Sequence, residues 1–87
     1  MKKILVTIYV IYLDKEYDLL LPIGKKVEDV LDYIQDSLVD LSNSNYQKKD
    51  QVLLYLDNGL IINPNNVIKY SGLRNGSKIC LVWHNCI

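Results

Sequence analysis

The sequence predicts an α+β domain in which one amphipathic helix covers a mixed four- to five-stranded sheet. Three observations carry that expectation. Apolar residues alternate with period two from position 4 to 21, recur at spacings of three and four from 27 to 41, and alternate again in short runs near the end. The chain has 87 residues, which suits a single domain over residues 1–87, and its 49% hydrophobic and 23% charged content is globular, not disordered. Lys plus Arg and Asp plus Glu are balanced at 10 each, so no global charge draws the chain to nucleic acid or to an anionic membrane.

The first element is a strand from Ile4 to Leu13, rich in Val, Ile, Thr and Tyr. Its apolar run ILVTIYVIYL holds 10 residues before Asp14, too few to span a bilayer, and no small-residue cleavage site follows it. A second strand runs from Glu16 to Leu21. Asp14-Lys15 between them reads as a two-residue hairpin turn, which would pair Tyr12 with Tyr17, Val10 with Leu19, and Ile8 with Leu21. That register places Ile4, Val6, Ile8, Val10, Tyr12, Tyr17, Leu19 and Leu21 on one face.

Pro22-Ile23-Gly24 breaks the sheet and the period changes. Val27, Val30, Leu31, Ile34, Leu38 and Leu41 form one apolar stripe on a helix, which Ser42-Asn43-Ser44-Asn45 terminates. Lys25 and Lys26 are poor N-caps, partly offset by Glu28 and Asp29 in the first turn through the helix dipole. Gln51 to Leu56 is a third strand, Asp57-Asn58-Gly59 a turn, and Leu60 to Ile62 a short fourth. Val67 to Tyr70 forms a tight helical turn. Asn75-Gly76 supplies the backbone freedom to turn into the last strand, Lys78 to Trp83, with Ile79, Leu81 and Trp83 facing inward. The order β-β-α-β-β-β, with one helix available to cover one sheet, is the β-grasp arrangement.

In element order and spacing the whole chain resembles ubiquitin. Among ubiquitin-like families it is most similar to the small bacterial YukD-like (EsaB-like) proteins associated with type VII secretion. The resemblance is carried by VTIY in the first strand, YDLLLP in the second, VEDVLDYI in the helix and GLRNGSKICLV near the end. It implies a cytoplasmic protein with an accessory or regulatory role beside a membrane secretion machine, without enzymatic activity. It also implies that the chain is not conjugated. In agreement, the sequence ends in Trp83-His84-Asn85-Cys86-Ile87 and contains no Gly-Gly pair, whereas a modifier or sulfur carrier needs a terminal glycine carboxylate to be adenylated.

Sequence motifs for catalysis are scarce, and no catalytic, cofactor-binding or metal-binding residue is expected. Cys80, His84 and Cys86 supply three ligands where a closed zinc site needs four, and alternation puts Cys80 on the opposite face from Trp83. Cysteine–histidine catalysis lacks an orienting third group. Arg74-Asn75-Gly76-Ser77-Lys78 precedes a strand, not a helix, so it is a turn and not a phosphate cradle. Two cysteines are too few for a disulfide framework, which favours a reducing compartment.

Two surfaces invite partners. Glu28, Asp32, Asp36 and Asp40 repeat every fourth residue on the helix, with no Lys or Arg between Val27 and Leu41. This is either a docking face for a basic partner or an ordinary solvated face. The second surface is the sheet face away from the helix, where Leu5, Thr7, Tyr9, Ile11 and Leu13 of the first strand are joined by Leu20. With the strand order of ubiquitin, Leu54, Cys80 and Val82 continue it, at the positions of ubiquitin's apolar recognition patch, with Cys80 where ubiquitin has a histidine. One surface linking these residues would exceed what a monomer exposes and would mark an interface with another protein or with a second copy of the chain, unless the Ser42–Lys49 loop folds over it. The expected partners are therefore proteins, with no nucleic acid and no direct membrane insertion.

Overall fold

The alternating segments pair into one sheet, shown by a computed structural model that describes residues 2–83. Strands β1 (Lys3–Val10) and β2 (Lys15–Pro22) form an antiparallel hairpin; helix α1 (Val27–Leu41), strand β3 (Val52–Leu56), a 3₁₀ turn (Ile68–Tyr70) and strand β4 (Ser77–Trp83) follow. The sheet order is β2-β1-β4-β3, with β1 and β4 parallel at the centre. This is the ubiquitin-like β-grasp fold. The expected fourth strand, Leu60 to Ile62, is reduced to a single bridge between Ile61 and Tyr55, flanked by Leu56 N–H to Leu60 O and Ile62 N–H to Leu54 O, both 2.8 Å.

The hairpin closes differently from the two-residue turn at Asp14-Lys15. Val10 pairs with Lys15, Ile8 with Tyr17 and Val6 with Leu19. Residues 11–14 form the loop, held by Leu13 N–H to Val10 O and Asp14 N–H to Ile11 O (both 3.2 Å), with Asp14 in the left-handed region at φ 52°. Relative to the expected pairing, β2 has slipped by four residues. An even slip keeps every side chain on its own face. Val6, Ile8, Val10, Leu19 and Leu21 therefore remain in the core, while Tyr12 leaves the strand and stacks on Trp83 with ring centroids 3.3 Å apart.

The helix buries Val27, Val30, Ile34 and Leu38 against the sheet, and its stripe ends early, since Leu41 is exposed. Lys26 at the N-cap makes no side-chain bond. Carbonyls from the distant 63–67 loop cap the first turn instead: Val27 N–H bonds Asn66 O (2.8 Å) and Glu28 N–H bonds Pro64 O (2.9 Å). At the other end Ser44 N–H reaches Val39 O (2.8 Å) and Asn43 N–H reaches Asp40 O (3.3 Å), a Schellman closure with Asn43 at φ 54°. Asn43→Gly should raise stability by about 0.5 kcal/mol, read as a higher urea midpoint, because glycine enters the left-handed region without a Cβ penalty. A lower midpoint would contradict this closure.

After the helix the chain turns back under it. Tyr46 is buried, its N–H bonded to Ser42 Oγ (2.8 Å) and its phenol donating to Gln35 Oε1 (2.7 Å). Gln35 then holds both main-chain groups of Lys49, receiving the Lys49 N–H at 2.8 Å and donating to the Lys49 carbonyl at 2.9 Å. The Ser42–Lys49 loop is thus clasped to the helix and does not cover the open sheet face. At the turn into β4, Gly76 at φ 90° gives its N–H to Leu5 O (2.7 Å), and Asn75 Oδ1 accepts the Leu5 N–H (2.8 Å). His84 and Cys86 lie outside the described residues.

Candidate functional site

The register decides what the open sheet face presents. Outward side chains line up across the strands: Leu5 beside Leu20, then Thr7 between Asp18 and Lys78, then Tyr9 between Glu16 and Cys80. On the far side Cys80 adjoins Tyr55, and Val82 adjoins Leu53. The Thr7 hydroxyl donates to Asp18 Oδ1 (2.7 Å), and Lys78 Nζ lies 3.6 Å from Glu16 Oε2. A polar belt therefore crosses the sheet.

That belt corrects the expectation of one continuous apolar surface. Tyr9, Cys80 and Val82 share a half-buried patch with Leu53 and Tyr55, while Leu5 and Leu20 stand apart beyond the belt, next to the helix. Ile11 is exposed in the hairpin loop, and Leu13 packs against the core. Leu54 does not belong to the surface at all. It is 2% exposed, pairs with Leu81 and points into the core; its neighbours Leu53 and Tyr55 face outward in its place. In Val52-Leu53-Leu54-Tyr55-Leu56 every residue is apolar or aromatic, so alternation carries no sign of which parity faces in. Leu53 and Tyr55 were beyond the reach of a pattern argument for that reason.

Cys80 sits half-buried in the patch, and burial pushes its thiol above the ordinary value, so it stays protonated at neutral pH. A protonated thiol on an open sheet is not an activated nucleophile. Among the described residues no group of three potential metal ligands converges, and none of the described helices is long and apolar enough to cross a membrane.

The acidic helix face is partly answered from within the chain. Lys48, brought over by the clasped loop, lies 3.1 Å from Asp36 and 3.4 Å from Asp32. Asp36 first, then Asp32, hold the Lys48 ammonium above its ordinary value. Glu28 and Asp40 have no ion-pair partner among the described residues. The missing lysine of the helix is thus supplied from the loop, which the helix sequence could not reveal.

The hairpin tip and the clasp meet at the end of β4. Trp83 is sandwiched between the Tyr12 ring and the Lys49 ammonium, 4.0 Å from the ring centroid. Burial pushes Tyr12 up to about 12, and the Tyr9 hydroxyl, donating to Asp14 Oδ1 at 2.6 Å, is also raised, chiefly by that bond. Both shifts favour the protonated phenol in the folded state. Their stabilisation is therefore complete below the unfolded tyrosine value of about 10 and lost as pH climbs through the folded values. Urea midpoints should hold steady up to that pH and then fall toward pH 12. Tyr12→Phe should flatten the decline, and a decline of equal slope would refute the assignment.

Neither a protein-family model nor a curated protein matches the sequence. Solved structures match along its length. The EccD5 ubiquitin-like domain of Mycobacterium xenopi superposes with a TM-score of 0.76 at 15% identity, covering 100% of both chains. The ubiquitin-like domain of the Mycobacterium tuberculosis type VII secretion protein EccD1 gives 0.74 at 17% identity, covering 94% of this chain and 99% of that one. A chain of a toluene 4-monooxygenase HD complex gives 0.78 at 12% identity, covering 95% and 100%. At these identities the likeness is one of fold, and the fold serves both secretion proteins and an oxygenase assembly.

Proposed function

We propose that this chain is a non-enzymatic ubiquitin-like binding module, an accessory or regulatory component of a type VII-like secretion system in the bacterial cytoplasm. The observation that carries the reading is the end-to-end correspondence with EccD ubiquitin-like domains. The VTIY, YDLLLP, VEDVLDYI and GLRNGSKICLV stretches support it through their resemblance to YukD-like proteins. Such a module works by non-covalent contact and not by conjugation.

The contact surface is the patch formed by Tyr9, Cys80 and Val82 with Leu53 and Tyr55, which joins aromatic bulk to aliphatic groups across β1, β4 and β3. Glu28 and Asp40 at the helix flank add acidic character for a basic partner. Co-expressed with the membrane components of a type VII-like system, the wild-type chain should co-purify with them. Val82→Asp, checked for folding by circular dichroism, should reduce recovery roughly tenfold or more. Undiminished recovery would remove the sheet patch from the proposal. Failure of the wild type to recover any secretion component would remove the secretion reading itself.

A further inference from the structure

The edge of the sheet at β2 raises a separate question. Strand β2 pairs with β1 on one side and with nothing among the described residues on the other. Ile23 N–H bonds Lys2 O (3.1 Å), and the antiparallel alternation from that bond sends the main-chain groups of Glu16, Asp18 and Leu20 outward along the free edge. Beside this edge runs a groove between β2 and α1, in two connected pockets of about 470 and 320 Å³ that share Leu20 and Tyr33. Leu5 (42% exposed), Leu20 (49%), Tyr33 (45%) and Leu41 (51%) offer apolar surface in and around it. An exposed edge strand flanked by apolar side chains is a template for strand addition.

The charges along the groove identify the occupant. Asp18 and Asp40 line one end, and Lys3 and Lys25, with Asp29, line the other. A two-fold axis near Leu20 would set β2 antiparallel to β2 of a second copy, matching Asp18 main-chain groups to those of Pro22 across the axis. The same rotation brings the Asp18–Asp40 end of one groove to the Lys3–Lys25 end of the other. The surface is complementary to itself, as an isologous contact requires. Pro22, lacking an N–H, costs this ladder a donor at each end.

We propose that the β2 edge and its groove form a two-fold homodimer interface that joins two sheets into one. The contact is small, so the dimer is a weak, concentration-dependent one. The proposal does not rest on the secretion reading and uses a different face from the Tyr9–Cys80–Val82 patch, sharing with that reading only Asp40.

Sedimentation of the purified chain should show a reversible monomer–dimer equilibrium. Leu20→Lys, at an exposed position, should abolish it while preserving the circular dichroism spectrum. Asp40→Lys and Lys25→Glu, neither of which breaks a contact within the chain, should each weaken dimerisation about tenfold or more by setting like charges opposite each other. An equimolar mixture of these two variants should dimerise as the wild type does, because each swapped charge then faces its opposite. A chain that stays monomeric up to about 1 mM, or a dimer insensitive to all three substitutions, would overturn the proposal. So would a monomer whose Leu20 and Tyr33 signals respond only to an added extended peptide, which would give the groove to a foreign segment.

Discussion

Leu54→Asp should leave no folded protein at room temperature, whereas Leu53→Asp, one residue earlier, should fold with a loss of about 1 kcal/mol or less. Leu54 is 2% exposed and lies between its sheet partner Leu81 and Ile62, whose N–H bonds its carbonyl. A carboxylate there would be stripped of water with no cation to meet it, a cost of about 5 kcal/mol or more. That approaches the whole stability of roughly 5–10 kcal/mol expected for a domain of this size. Leu53 faces the open side opposite Val82, where an aspartate stays hydrated. Circular dichroism and urea unfolding of the pair test the inward parity of β3 directly. Equal losses at both positions would mean that the register is wrong.

Gln35→Ala should cost about 2–3 kcal/mol, and Tyr46→Ala about 3–5 kcal/mol. Gln35 is 3% exposed in the middle of the helix, and its amide satisfies three groups at once: the Tyr46 hydroxyl, the Lys49 N–H and the Lys49 carbonyl. Removing it leaves two main-chain groups of Lys49 without partners and frees the loop that carries Lys48 and Lys49. Tyr46→Phe keeps the packing, and the Gln35 oxygen still receives the Lys49 N–H, so its cost should be only about 1 kcal/mol. Hydrogen exchange at the Lys49 amide should speed up in Gln35→Ala beyond its global destabilisation. Exchange that tracks global stability alone would show that the loop does not depend on the clasp.

The clasp was only faintly legible beforehand. Gln35 lies four residues after Leu31 on the helix, so a polar side chain occupies a place in the apolar stripe, and that is its one signal. Nothing in the local pattern indicates which distant groups it would bind. The acidic stripe was readable as Glu28, Asp32, Asp36 and Asp40, but its partial neutralisation by Lys48 depends on where the loop returns. The absent N-cap at Lys26 was also evident, and the carbonyls of Pro64 and Asn66 that replace it come from across the fold.

What the sequence determined by itself was the element order, the helix stripe from Val27 to Leu38, and the buried face of the hairpin. Those rest on local periodicity, which the backbone geometry of helix and strand enforces wherever the segment packs. The buried face survived even an error in the turn, because a four-residue slip is even and preserves parity. Tertiary structure alone decided which side of the wholly apolar strand Val52–Leu56 faces in. It also decided that Asp18, Thr7 and Lys78 align into a belt dividing the open face. Both depend on register between strands far apart in the chain, where pairing is set by the closing of the whole core and by no pattern within either strand.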